Sequence, residues 1–165
     1  MIRRPTLILS ALVVFLIAAM SGGRTQARQM PQMHMTQPVS AAKWGPAPPL
    51  VPAGAQIAVL NGDPTKDGLY AVRFKFPANY AIAAHSHPTD ENVTVVSGTF
   101  YMGMGNKLDR QGGEPLDAGG YALIPAGTNH WVYTKGEVTI VLFGRGPVDF
   151  KYVNPADDPR NAKKN

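Results

Sequence analysis

The sequence predicts an all-β fold, an antiparallel sandwich or barrel, and three observations carry that expectation. Seventeen glycines and 15 prolines stand among 165 residues, more than helix interiors tolerate. From Gln56 to Val153, apolar and β-branched runs of four to eight residues alternate with clusters of Gly, Asn, Asp and Pro, as short strands separated by turns do. No window between 54 and 153 carries a sustained helical period. The length suits one domain with a true core.

The amino terminus has the form of an export signal. Arg3 and Arg4 precede Leu7 to Met20, a stretch apolar except for Ser10, and Thr25-Gln26-Ala27 offers a small-x-small cleavage site. This stretch is shorter than the roughly 20 residues a spanning helix needs. We therefore expect residues 1–27 to be a cleavable signal, the protein to be periplasmic or secreted, and no permanent membrane span. Residues 28–54, rich in Pro, Met and Gln, are expected to be a linker. Within it, Met30, Met33, His34 and Met35 form a soft-ligand cluster of the kind that suits Cu(I), although a plain tether is the simpler reading. Trp44 and the run Pro46 to Pro52 mark where the chain begins to lie on the domain.

The domain is expected over 55–153. Leu69 to Phe76 is the clearest strand: Tyr70, Val72, Phe74 and Phe76 share one face, while Arg73 and Lys75 point the other way. Further strands are expected at 56–60, 80–84, 92–96, 99–104, 120–124, 130–133, 138–143 and 148–153. Asn61-Gly62, Pro77-Ala78-Asn79, Ser97-Gly98, Gly112-Gly113 and Lys135-Gly136 supply the turns between them. Residues 154–165 are a polar tail, surface-bound or loose.

The chemistry concentrates in four residues. His85 and His87 stand two apart, so on a strand both imidazoles face one side. The turn at Pro88 to Asp90 lets the next strand return with Glu91 beside them, and His130 lies in the second half of the domain. Three imidazoles and one carboxylate suit one divalent transition ion, Fe, Mn, Ni, Cu or Zn, with Glu91 also a candidate base. The absence of cysteine excludes disulfides, thiolate zinc sites, iron–sulfur clusters and cysteine nucleophiles.

The spacing around these residues resembles two motifs of the cupin superfamily. The first runs Gly, five residues, His-x-His, three or four residues, Glu, six residues, Gly; here it is Asn79, His85, His87, Glu91 and Gly98. The second runs Gly, five residues, Pro-x-Gly, two residues, His, three residues, Asn; here it is Gly119, Pro125, Gly127, His130 and Thr134. The resemblance covers about Gln56 to Val153 and departs at Asn79 and Thr134. It implies a single-domain double-stranded β-helix, or jelly-roll barrel, and a metal held by His85, His87, Glu91 and His130. Pro125 and Gly127 fit positions i+1 and i+3 of a type I turn that aims His130 inward. Parity places Val93 and Val95 inward with Glu91, and Val132 inward with His130, leaving Trp131 and Tyr133 on the opposite face. Phe100, Tyr101, Met102 and Met104 lie beside the first motif, as core or pocket lining.

Members of this superfamily include oxygenases, decarboxylases, isomerases and binding proteins, so the fold does not decide the reaction. Binding of a dianionic acid would call for an inward arginine, whereas Arg73 lies on the outer face and Arg110 and Arg145 fall near loops. The first expectation is an exported metal-dependent oxidoreductase, dioxygenase-like, acting on a small neutral or aromatic molecule. The alternative is a non-catalytic module that binds metal or a small molecule. Small members are often homodimers, an expectation that rests on the resemblance alone. The formal net charge of +5 would suggest nucleic acid, but residues 1–27 carry Arg3, Arg4 and Arg24 with no acid, and residues 29–156 hold nine charges of each sign. No nucleic-acid surface is expected.

Overall fold

The computed structural model describes residues 35–162. The expected signal, and all of the Met/His cluster except the exposed Met35, lie outside them. Eleven strands follow in order: β1 (Gly45–Pro46), β2 (Gln56–Asn61), β3 (Gly68–Phe76), β4 (Ala81–Ser86), β5 (Glu91–Ser97), β6 (Phe100–Met104), β7 (Glu114–Leu116), β8 (Tyr121–Ile124), β9 (His130–Thr134), β10 (Val138–Gly146) and β11 (Lys151–Tyr152). They form two antiparallel sheets, ordered β1-β2-β3-β10-β5-β8 and β11-β4-β9-β6-β7, which close face to face as a jelly-roll barrel.

The inner faces make one core. On β3, Tyr70, Val72, Phe74 and Phe76 are buried and alternate with half-buried Arg73 and Lys75, as the period-two pattern requires. Lys75 is less wet than expected, because its ammonium lies 5.0 Å over the Trp44 ring. Val93, Val95, Ile140 and Val132 complete the same layer from β5, β10 and β9. Trp131 and Tyr133 face the other way, as parity predicts. They are buried there in a second cluster with Ala84, and Tyr101 and Leu108 pack against it.

Two strand expectations are corrected. The strand expected over 148–153 is reduced to Lys151–Tyr152: Pro147 has no N–H to donate to a ladder, and the Val148 N–H donates instead to Pro64 O at 2.8 Å. β7 was not expected, because its Glu-Pro-Leu carries a proline; it is tolerated as the edge strand of the five-stranded sheet. The expected linker is part of the domain from its last third onward. The Tyr152 hydroxyl donates to Leu50 O at 2.9 Å and the Tyr80 hydroxyl donates to Pro52 O, strapping the segment down so that Val51 enters the core.

The two departures from the cupin motifs meet in space. Asn79 adopts φ 61° in the β3–β4 turn, a left-handed conformation that Asn tolerates better than most residues. Thr134 sits buried against that turn. Its hydroxyl donates to Pro77 O at 2.7 Å and accepts the Tyr80 N–H at 3.0 Å. Thr134→Val keeps the shape and strands both backbone partners, so we expect a loss of about 2 kcal/mol in urea denaturation; an unchanged midpoint would contradict this role for the hydroxyl.

Candidate metal centre

His85 reaches the barrel interior through an irregularity in β4. Ile82 pairs with Val132 and His85 with His130, so three residues of β4 span what two residues of β9 span. Ile82 and His85 consequently both face inward, although simple alternation separates them. Such a bulge re-aims the side chains that follow it. His130 arrives opposite His85, and Glu91 opens β5 with Ile124 as its partner on β8.

The turn before β9 fits differently from the sequence expectation. Thr128 N–H donates to Pro125 O at 3.1 Å and Gly127 has φ 74°. Pro125 is thus position i and Gly127 position i+2, where a positive φ marks a type II turn rather than type I. Gly127 N–H also donates to His87 O at 2.9 Å, and Ala126 N–H to Asp90 Oδ1 at 2.8 Å. These two bonds dock the second motif on the first.

His85, His87, Glu91 and His130 are all buried. Each imidazole has its Nδ1 against a backbone carbonyl: His85 on Ala83 O at 2.7 Å, His87 on Asp149 O at 2.8 Å and His130 on Thr128 O at 3.1 Å. A carbonyl only accepts, so these contacts place the ring proton on Nδ1 and leave the Nε2 lone pair free. One ring nitrogen from each histidine lies within 4.8 Å of the others, a grouping that could hold a metal ion.

The Glu91 carboxylate stands beside two of the three without joining that group, Oε1 at 3.5 Å from His87 Nε2 and Oε2 at 3.3 Å from His130 Nε2. Three imidazole acceptors therefore come together without a proton assigned between them, and a cation among them would relieve that arrangement. His87 Nε2 is buried and has no hydrogen-bond partner. Burial, followed by the neighbouring His130 and His87, pushes the His85 imidazole down to about 3, so it is neutral at physiological pH. Burial alone pushes the Glu91 carboxyl up, but His130, His87 and His85 beside it outweigh that and hold the group below its usual range. The donors fit a divalent ion of intermediate hardness.

The walls are apolar. The space beside His85, Glu91 and His130 is about 20 Å³, room for about one water. A neighbouring chamber of about 90 Å³ shares Val51, Phe74, Leu142 and Phe150 with it, and Thr65 and Tyr70 bring the only side-chain hydroxyls to its lining. Among the described residues, no lysine or arginine lines either space. Arg110 reaches Asn79 O and Arg145 pairs with Asp67, both on the surface. Phe100 and Met102 line the inner space, whereas Tyr101 stacks on Tyr133 at 4.7 Å and Met104 is exposed.

Three features of the site have no counterpart in the sequence reading. Phe150 stacks on His85 at 4.8 Å and meets His87 edge-on at 4.5 Å. Tyr70 lies in the row of Gly144 and Glu91, where burial and the Glu91 charge push its hydroxyl pKa up. Asp149 contributes only its carbonyl to His87. The alternation of Phe150 and Tyr152 is the one local signal that could have pointed to an inward face there.

Residues 32–149 match the family described as a ChrR cupin-like domain. No curated protein matches the chain. Solved structures share the fold. A candidate acetylacetone dioxygenase from Methylibium petroleiphilum PM1 is 21% identical, with 79% of this chain and 90% of that chain covered and a TM-score of 0.56. The polyketide cyclase RemF from Streptomyces resistomycificus is 19% identical, with 77% and 90% covered and a TM-score of 0.58. An RmlC-like cupin from Shewanella frigidimarina NCIMB 400 is 16% identical, with 70% and 94% covered and a TM-score of 0.54.

Proposed function

This chain belongs to the ChrR cupin-like domain family, and on that premise we propose that it is an exported metal-dependent protein that oxidises a small neutral or aromatic molecule with O₂. His85, His87, His130 and Glu91 hold one divalent transition ion. The single observation that carries the metal reading is the grouping of three buried imidazoles whose ring nitrogens lie within 4.8 Å of one another, with every Nδ1 already committed to a carbonyl and Glu91 beside two of them. A bound ion there would supply Lewis-acid or redox chemistry.

The surrounding residues account for the choice of substrate. Val51, Phe74, Leu142 and Phe150 exclude water from the inner space, and the absence of a cationic side chain from the lining disfavours a dianionic acid. The ligand lies in the outer chamber, with its reactive end toward the histidines and the Thr65 and Tyr70 hydroxyls within its walls. Glu91, the one acidic side chain of the lining, accepts a proton from the ligand when it acts as a base. The solved structures of this fold include a candidate acetylacetone dioxygenase and a polyketide cyclase, whose names point to small ketone or polyketide compounds. Export is supported by the composition of residues 1–27; among the described residues no helix is long and apolar enough to cross a membrane.

Elemental analysis of protein purified from its native compartment, followed by O₂ uptake with neutral diketones and phenols after loading with Fe, Mn, Ni, Cu or Zn, tests this reading. We expect one ion per chain and O₂ consumption with at least one neutral substrate. Stoichiometric metal without turnover would favour the binding module, and failure to bind any of these ions would overturn the metal centre itself.

A further inference from the structure

The polar tail is docked against the site. Arg160, in the 3₁₀ turn Pro159–Asn161, spreads its guanidinium over three acceptors. Nε and Nη2 donate to the Asp158 carboxylate at 2.9 and 2.8 Å. Nη1 donates to Asp149 Oδ1 at 2.8 Å, and Nη2 also donates to Phe150 O at 2.6 Å. The gripped dipeptide is the one that borders the histidines: the Asp149 carbonyl accepts the His87 Nδ1–H, and the Phe150 ring lies on His85. No sheet ladder holds it, because β10 ends at Gly146 and β11 begins at Lys151. Asp149 Oδ1 accepts the Phe150 N–H at 2.8 Å, so the guanidinium closes a small hydrogen-bonded unit.

We infer that Arg160 is a positioning residue for the metal centre: it fixes the Asp149–Phe150 peptide, and through the Asp149 carbonyl holds His87 in the Nδ1–H tautomer with Nε2 free to coordinate. The inference rests on the proposal that His87 is a metal ligand. Arg160 and Asp149 are both well exposed to solvent, so their pairing adds little to global stability, and its effect belongs to site geometry. A planar fork holds these acceptors in a fixed geometry, bidentate on Asp158, which the point charge of an ammonium does not reproduce.

The test uses the full chain, with Co²⁺ and Zn²⁺ as probes. Direct loss of a partner behind a ligating histidine weakens metal binding 10- to 100-fold. Arg160 acts one step further out, so Arg160→Ala is expected to weaken Zn²⁺ binding about 3- to 10-fold and to change the visible spectrum of the Co²⁺ form. The His87 ¹⁵N resonances of the metal-free protein should move toward a mixture of tautomers, while the thermal midpoint stays close to wild type. Arg160→Lys should recover part of the effect. Wild-type Zn²⁺ affinity, Co²⁺ spectrum and His87 resonances in Arg160→Ala would overturn the inference. Should that variant not fold, Asp158→Asn loosens the same grip with Arg160 in place and is held to the same three readouts. If the wild-type protein binds neither ion, the metal reading fails, whereas the His87 resonances still decide whether Arg160 positions the ring.

Discussion

His87→Ala will bind Zn²⁺ or Co²⁺ at least about 100-fold more weakly than the wild-type protein, a loss beyond the 10- to 100-fold typical of removing a partner behind a ligand. The expectation follows from how the ring is prepared. Its Nδ1 proton is committed to Asp149 O at 2.8 Å, and its Nε2 is buried with no hydrogen-bond partner, 3.5 Å from Glu91 Oε1. A polar nitrogen left bare in that position costs free energy in the metal-free protein, and coordination recovers it. Of the three histidines His87 is the least enclosed, at 8% exposure against 2% for His85 and 1% for His130, so its removal leaves the smallest defect in the core. Competition titration against a chromophoric chelator measures the affinity, and far-UV circular dichroism confirms the fold. Affinity and stoichiometry equal to wild type would remove His87 from the metal centre.

The second large effect concerns stability. Gly98, the glycine that closes the first motif, has φ 78° between β5 and β6. A Cβ there would stand 2.4 Å from Glu137 O and 3.0 Å from Val138 Cγ2, and Val138 is fully buried. Gly98→Ala therefore meets a left-handed backbone, costing about 1–2 kcal/mol, and an overpacked contact with a backbone atom, costing about 1–3 kcal/mol. We expect a loss of about 3 kcal/mol in chemical denaturation, a large share of the roughly 5–15 kcal/mol a domain has. Gly98→Asn separates the two causes, since Asn accepts the backbone angle but not the contact, and it should remain strongly destabilised. Gly127 is the comparison: its φ is 74°, yet a Cβ would meet nothing within 4 Å, so Gly127→Asn should be nearly silent. Equal, small effects at both positions would show that the close approach at Gly98 carries no weight.

The two motif glycines also show how far spacing can be read. Both stand at positions that resemble the family pattern, and both adopt positive φ. One is required by a neighbouring strand and the other only by its own turn. The neighbour is 39 residues away in sequence, and no local pattern announces it. The strand at 148–153 failed for a related reason: its alternation was legible, but ladder membership depends on an available N–H and a partner, and Pro147 and Pro64 redirected both.

What the sequence determined by itself is parity and chemical type. Alternation along β3, β5 and β9 placed Tyr70 to Phe76, Val93 with Val95, and Val132 on the inner face, because side-chain direction in a strand is a local property with a period of two. The spacing of His85, His87 and His130 likewise named the three imidazoles that come within 4.8 Å of one another, with Glu91 beside two of them. Tertiary structure decided the rest. The bulge between Ile82 and His85 depends on the register against β9, and without it alternation would send His85 outward. The Asp149 carbonyl behind His87 and the Phe150 ring on His85 come from a segment with no ladder of its own, and the Arg160 fork that binds the Asp149 carboxylate and the Phe150 carbonyl comes from the tail. Long-range pairing and loop docking supply those contacts, and they are settled by the closing of the barrel rather than by any period in the chain.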